Sequence, residues 1–515
     1  MRPVCLIIRD GWGYNENSRG NAVTAATTPN MDSYLKKYPW TLIDTSGEPV
    51  GLPEGYQGSS EVGHLNIGAG RIVKQEVKRI DDLMSDGSLY DAAKWKELIS
   101  SWKSDDSQLH LLCLLQDEGV HAHQEQLFKI MRRARSENPN GRIVVHPFLD
   151  GRDTPPISCL EYLGQLNTVI KDIGGCVIGT VMGRYYAMDR SENWGLTDTS
   201  YNCIVNAVGK NTPAPDVAVT NSYKNDKTPD GADMFDEYIL PHVIGDYKGV
   251  NENDCVIHVN YRQDRAIQLT KAFIDPDYKG SLSKRPRVNF IGLTRYYDEF
   301  PHYLISPMSE GGGMENLLGQ VISGAGLKQL RIAETQKYRH VTSFMNGKST
   351  TPYGLEDDVE VPGRFDPATF GSHPEMEAYR VTDALLAKLD SGSYDFIAVN
   401  FANCDMVGHT GIFEAAKTAV EIVDECVGRV VQKLLEMDAQ ILITSDHGNA
   451  DQMEDYDTGM VKTSHTKYPV ECIYIASDSP GKQMKEHGKL SDIAPTILTL
   501  LKLDIPEEMT ADVLI

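Results

Sequence analysis

The chain has 515 residues, 41% of them hydrophobic, and a formal charge of −23. That length is too great for one ordinary core and sets two domains of a few hundred residues each as the expectation, while so acidic a balance excludes an electrostatic grip on nucleic acid or on an anionic membrane. The nine cysteines include no C-x-x-C, and no two lie closer than Cys159 and Cys176, the pattern of reduced, buried thiols in the cytosol; no apolar run reaches the ~18 residues of a membrane span.

The opening VCLIIRDG reads as a core strand, not a signal peptide, and ends at Asp10. GSSEVGHLNIGAGR follows at 58–71, where Ser59, Ser60 and acidic Glu61 make a helix start whose free backbone N–H groups favour a phosphate. Its glycines at 63, 68 and 70 are poor helix formers, kept for close packing. A first hinge is expected at 73–79. The strand-like LHLLCLL (109–115), a helical pattern over 124–135 and RIVVHPFLD (142–150) alternate in the manner of a parallel sheet covered by helices. This middle block also carries DEGVHAH with His121 and His123, DGRDTPP with Arg152 and Asp153, and MGRYYAMDR with Arg184 and Arg190. The polar, turn-rich stretch 221–236 predicts a surface loop. CVIHVN (255–260) runs into NYRQDR, with Arg262 and Arg265, before a helix from about Gln263 and the strand-like RVNFIGL (287–293). SEGGGM, with Gly311, Gly312 and Gly313, is a second expected hinge. Helices over 375–389 and 414–435 flank FIAVNFANCD, which ends at Asp405 with His409 four residues on. QILITSDHG ends at Asp446 and His447, and KTSHTKYP places His465 in a polar loop.

Three apolar strands that each end in an aspartate point to one shared site, because ligands in open α/β sheets sit outside the carboxyl ends of the strands. Carboxylate oxygen mixed with imidazole nitrogen, and no cysteine nearby, suits a divalent ion used for hydrolytic or phosphoryl chemistry. A lone Ser-Ser-Glu is an ordinary helix cap; in company with the three aspartates, Ser60 becomes a candidate nucleophile whose alkoxide a divalent ion would stabilise. The candidate ligands fall at the two ends of the chain and the basic segments in its middle. The expected geometry is therefore one domain formed by both ends, with the middle inserted as a second. Any single arginine is more often a surface salt-bridge partner, but DGRD and NYRQDR again follow strands, which favours a second edge that binds a small polyanion.

DGWG at 10–13, SEVGHLNIGAGR at 60–71, DGRDT at 150–154, GRYYAMDR at 183–190, DMVGHTG and SDHGN together resemble the cofactor-independent (2,3-bisphosphoglycerate-independent) phosphoglycerate mutases, over nearly the whole chain. The resemblance implies an α/β architecture: an alkaline-phosphatase-like domain with a mixed or parallel sheet over 1–77 and 312–515, and an inserted α/β transferase domain over 78–311. It implies interconversion of 3-phosphoglycerate and 2-phosphoglycerate through a phosphoserine in glycolysis and gluconeogenesis, with two divalent ions, manganese first and magnesium, cobalt or zinc as alternatives. Ser60 matches the phosphoryl acceptor; Asp10, Ser60, Asp446 and His447 match the ligands of one ion, and Asp405, His409 and His465 those of the other. His121, Arg152, Asp153, Arg184, Arg190, Arg262 and Arg265 match the substrate-binding set, and Lys337, in AETQKY, a lysine beside the phosphoryl group. Asp153 is expected to exchange protons with the two glycerate hydroxyls, and a closing domain to keep water from the phosphoserine. A cytoplasmic monomer acting on a small molecule is the family expectation. Arg9, Ser59, Arg295, Gln336 and Ser464 depart from the family pattern and bear on metal preference and pH optimum. The competing readings are a metal-dependent phosphatase or phosphopentomutase of the same superfamily, and a non-catalytic sensor of phosphorylated acids.

Overall fold

In a computed structural model that describes residues 2–104, 107–229, 231–297, 299–306 and 314–515, the chain divides into two compact units, Met1–Gln75 with Gly312–Ile515, and Glu76–Gly311. The first unit opens with strands β1 (Val4–Arg9) and β2 (Trp40–Asp44). The second holds β3 (Gln108–Leu115), β4 (Arg142–Leu149), β5 (Cys176–Ile178), β6 (Thr180–Gly183), β7 (Lys210–Thr212), β8 (His242–Ile244), β9 (Cys255–His258), β10 (Asn289–Thr294) and β11 (Tyr303–Ile305). The chain then returns to the first unit with β12 (Gln329–Glu334), β13 (Glu356–Val361), β14 (Phe396–Phe401), β15 (Gln440–Thr444), β16 (Val470–Ile475) and β17 (His487–Lys489).

The first unit's sheet has the order β13-β12-β14-β1-β15-β16-β2-β17. The pairings along β13, β12, β14, β1 and β15 are parallel, and β16 runs against both of its neighbours. All six residues of β1 are buried, as are those of β12 and β14; β1 and β14 accordingly read as apolar nearly throughout and not as alternating, whereas β12, QLRIAE, buries Gln329, Arg331 and Glu334 among its apolar residues. One face is covered by the long helix Phe413–Glu436, whose Ala416, Val420, Val423, Val427, Val431 and Leu434 recur at three- to four-residue spacing and are fully buried against Ile7, Val399 and Ile443. Each such aliphatic side chain contributes about 1.5–3 kcal/mol on burial. The second unit's sheet runs β11-β10-β9-β3-β4-β6-β8-β7, with β5 also paired to β4; it is parallel from β11 through β6, and β8 runs antiparallel to β6. The expected α/β class with mixed sheets is what the chain adopts.

Several local expectations are revised. Asp405 does not end its strand; it lies four residues beyond β14, in the short helix Asn403–Gly408. The stretch 221–236 is not simply a surface loop. Its first residues close the helix Pro215–Asn225, started by proline at its first position, and Ser222, Thr228, Met234 and Asp236 are buried. The helix expected from Gln263 begins at Ile267, and the one expected from 375 spans Ala378–Ser391. From Glu76 the first expected hinge is helical (Glu76–Ser85), and the glycines Gly311 to Gly313 of the second lie outside the described residues. Among the described residues no helix is long and apolar enough to cross a membrane.

Candidate metal centre and anion cluster

Four adjacent strands of the first unit, β12, β14, β1 and β15, deliver Lys337, Asp405, Asp10 and Asp446 to the same carboxyl edge. The backbone continues the pairing beyond the strands: Asp10 N–H donates to Phe401 O (3.1 Å), Asp405 N–H to Asp10 O (3.0 Å), and Gly11 bridges to Gly448. Gly11 has φ +79°, and a Cβ there would lie 2.4 Å from the Asp405 nitrogen, so the turn of DGWG requires glycine. Facing this edge is the helix Ser60–Ala69, capped by the Ser59 hydroxyl, which accepts from Val62 N–H. The helix forms in spite of its glycines because they admit neighbours: a Cβ on Gly63 would meet Asp446 at 2.8 Å, and one on Gly68 would meet Met345 O at 2.0 Å.

Ser60 is buried, and its Oγ lies 2.9 Å from His447 Nε2 and 3.2 Å from Asp10 Oδ1, with Lys337 Nζ donating to it. Lys337 also donates to Asp10 Oδ1 and Asp405 Oδ2, both at 2.7 Å. Burial alone would draw that ammonium's pKa down, but Asp10, Asp405 and Asp446 outweigh it and hold it well above the ordinary lysine value. Three buried carboxylates against one lysine leave a surplus of negative charge. Burial, and next the Asp446 charge, push Asp10 up to about 7 against the pull of Lys337.

Two groups of side chains could each hold a cation: Asp10, Asp446 and His447, joined by Ser60, and Asp405, His409 and His465. The imidazoles are oriented for it. His409 Nδ1 donates to Thr463 O (2.7 Å), His465 Nδ1 to Gly58 O (2.8 Å) and His447 Nδ1 to Gly448 O (3.2 Å), which leaves each Nε2 as a bare acceptor in the neutral ring. His409 Nε2, His465 Nε2 and Asp405 Oδ1 lie 3.1 Å from one another in each pairing. Three acceptors at that separation repel unless a proton or a metal ion lies among them. Asp446 Oδ2 is likewise buried without a hydrogen bond. The donor set of oxygen and nitrogen fits divalent ions, and Cys404, next to Asp405 in the chain, is buried and belongs to neither group.

In the second unit, the adjacent strands β9, β3, β4 and β6 bring the predicted basic residues to one carboxyl edge. Arg184 is buried and donates through Nη1 to Asp150 Oδ1 (2.7 Å) and Asp153 Oδ2 (2.5 Å). Asp264 pairs with Arg190 (2.5 Å), with Arg262 (3.4 Å) and, at 3.7 Å, with His121. Arg152 reaches Glu237 at 3.3 Å, and Arg265 donates to Met188 O at 3.0 Å. Burial, and then the charges of Arg184, Arg190 and Arg152, draw the Arg265 guanidinium below its ordinary value. Guanidiniums close enough to perturb one another are the arrangement that an anion site requires. His121 is brought down to about 4, by burial first and then by Arg184, so it is neutral at pH 7.

The residues expected at a site thus gather in two places, the carboxyl edge of the first unit's sheet with the facing helix that carries Ser60, and the carboxyl edge of the second unit's sheet. Sequence reasoning missed His64, Asn400 and Asn449, all fully buried: Asn400 Nδ2 lies 2.8 Å from Asp10 Oδ2, and Asn449 Nδ2 donates to Asp405 Oδ1 at 3.1 Å. The signal was an asparagine within the apolar FIAVNF and a histidine four residues after Ser60, on the same helical face. Of the residues that depart from the family pattern, Arg9 has a clear role. It points away from the metal centre, fully buried over the Trp12 ring, with Nη2 3.1 Å from Glu471 Oε2.

The model of the Metalloenzyme superfamily matches residues 2–505. The chain is 44% identical to 2,3-bisphosphoglycerate-independent phosphoglycerate mutase 1 of Methanosarcina barkeri, over 100% of this chain and 98% of that protein, and 44% identical to the corresponding mutase of Clostridium tetani, over 99% and 98%. A crystal structure of Leishmania mexicana phosphoglycerate mutase, obtained at low cobalt concentration, matches 100% of this chain and 98% of that one with a TM-score of 0.73 at 30% identity. The class is that of the metalloenzymes. Within it, the chain belongs to the 2,3-bisphosphoglycerate-independent phosphoglycerate mutases.

Proposed function

We infer that the chain interconverts 3-phosphoglycerate and 2-phosphoglycerate through a phosphoserine on Ser60. The observation that carries this reading is the convergence of Lys337, His447 and Asp10 on the Ser60 hydroxyl within a buried, carboxylate-rich site. Two divalent ions, one on Asp10, Ser60, Asp446 and His447 and one on Asp405, His409 and His465, would when bound lower the serine pKa and neutralise phosphoryl charge; we take manganese as the first choice, with cobalt, named for the Leishmania protein, as an alternative.

The remaining steps belong to the chain's own residues. Ser60 Oγ attacks phosphorus, the bond from phosphorus to the 3-oxygen breaks, and Lys337 stabilises the charge on the phosphoryl oxygens. Asp153, held by Arg184 in the second unit, exchanges protons with the departing 3-oxygen and the incoming 2-hydroxyl. His121, Arg152, Arg184, Arg190, Arg262 and Arg265 hold the glycerate carboxylate, so that the acid is retained until its 2-oxygen takes the phosphoryl group back from Ser60. The unit made of both chain ends is thereby the phosphoryl-transfer domain and the middle unit the substrate domain. A cytoplasmic setting is supported by nine buried, free thiols, and a place in glycolysis and gluconeogenesis follows from the reaction itself.

Ser60→Ala tests the assignment. Turnover should vanish while manganese binding at Asp405, His409 and His465 stays intact and that at Asp10, Asp446 and His447 weakens without being lost, and mass spectrometry should find a phosphoryl group on Ser60 in the wild-type protein only. Near wild-type activity in the variant removes Ser60 as nucleophile.

A further inference from the structure

His64 and Asn400 belong to neither group of candidate ligands, yet both are fully buried and lie between them and the core. The Asn400 amide nitrogen is 2.8 Å from Asp10 Oδ2 and 3.1 Å from His64 Nε2. Its two hydrogens serve those two acceptors. This orientation is the one that suits an ionised Asp10, because exchanging amide oxygen for nitrogen would set that oxygen 2.8 Å from a carboxylate oxygen. With Nε2 accepting, His64 is the neutral Nδ1–H tautomer, and Nδ1 lies 2.9 Å from Ser60 O and 3.2 Å from Asp446 Oδ2. A hydrogen-bonded chain therefore runs from the Ser60 carbonyl through His64 and Asn400 to Asp10, with His64 Nδ1 also lying 3.2 Å from Asp446 Oδ2.

We propose that His64 and Asn400 are positioning residues: a neutral tether that holds Asp10 and Asp446 in register for one divalent ion and contributes nothing to the group of Asp405, His409 and His465. Neutrality is the useful property. A cationic tether would satisfy the carboxylates and compete with the ion, whereas the Asn400 amide orients one Asp10 oxygen by a hydrogen bond, the His64 ring sets the place of Asp446 Oδ2 by contact, and both leave the negative charge available. By engaging Asp10 Oδ2, Asn400 turns Oδ1 toward Ser60 and Lys337. Ser60 joins the same tether through its carbonyl, so the backbone of the nucleophile and the two carboxylates are fixed by one pair of side chains.

The inference rests on the reading of Asp10 and Asp446 as metal ligands, and the test separates the two. Isothermal titration of the metal-stripped full chain with manganese should show two binding events. In Asn400→Ala and in His64→Leu, one event should weaken by roughly 10–100-fold and the other should stay within about twofold. His64→Asn, which keeps a donor near the Nδ1 position, should recover part of the loss, and the double variant His64→Leu/Asn400→Ala should lose no more than either single one, since each breaks the same chain. Should Asn400→Ala fail to fold, Asn400→Ser, whose single hydroxyl cannot span both partners, carries the same test. Equal weakening of both events, or no change in either, overturns the proposal. Asp446→Asn is the control: if it too leaves both events unchanged, the ligand assignment is what fails.

Discussion

Gly63 sets a helix residue directly against a candidate ligand, so the smallest substitution there is a sensitive probe of the site. Gly63→Ala should raise intrinsic helix stability by about 1 kcal/mol. The new Cβ, however, would lie 2.8 Å from Asp446 Cβ and 3.0 Å from Asp446 O, where ordinary contact begins at 3.4 Å. Both atoms are close to the backbone of a fully buried residue and cannot swing aside. The helix and the strand end must therefore separate by about 0.6 Å, and forcing an extra methyl into a packed site costs about 1–3 kcal/mol. The two effects nearly cancel in stability, with a net loss of ~0–2 kcal/mol. They do not cancel in function, because a displacement of roughly this size between reacting groups costs up to about 100-fold in rate. Calorimetry should find a melting temperature within a few degrees of wild type, and a coupled assay of 2-phosphoglycerate formation should find kcat/KM lowered by about two orders of magnitude. A variant stabilised by the full ~1 kcal/mol, with wild-type turnover, would refute the claim that this helix and Asp446 share a rigid site.

Three further outcomes follow from named residues. Arg262→Ala removes a half-exposed guanidinium, so stability should change by less than about 0.5 kcal/mol while KM for phosphoglycerate rises; unchanged kinetics would place this arginine outside the pocket. Arg9→Met should cost about 3–5 kcal/mol in chemical denaturation by leaving Glu471 buried and unpaired, and adding Glu471→Leu should restore most of it; additive losses would show that the pair does not act as one. His258 is held at about 3 by burial alone, so it is neutral when folded but takes up a proton when unfolded below its ordinary value near 6.5. The unfolded chain then binds more protons as pH falls, and stability of the second unit should drop by about 2 kcal/mol between pH 7 and pH 5 from this group. His258→Leu should flatten that part of the pH profile, and an unchanged slope would reject the assignment.

The carboxyl-edge site was legible because its residues follow strands whose apolar runs are unmistakable: Asp10 and Asp446 come one or two residues after fully buried segments. Asp405 was expected at a strand end and lies instead in the short helix Asn403–Gly408, which leaves no periodic signature in so few residues. Arg9 could not be read correctly from its neighbour. Adjacent strand residues face opposite sides of a sheet, and the charge that looked like a perturbation of Asp10 belongs to an ion pair beneath Trp12. Asn400 and His64 were hidden for a related reason: a polar residue inside an apolar run reveals burial, but only tertiary contacts name its partner. The helix Pro215–Asn225 went unread in part because its last residues, Thr220 to Asn225, are polar or aromatic and lack an apolar stripe.

The central claim, a metal-dependent mutase that retains its substrate, is tested most directly by phosphorus NMR of the purified protein with 3-phosphoglycerate and manganese, without added 2,3-bisphosphoglycerate, before and after a chelator. The account predicts conversion to 2-phosphoglycerate with no build-up of inorganic phosphate, lost on chelation. Inorganic phosphate as the sole product, or conversion that persists after the metal is removed, would contradict it.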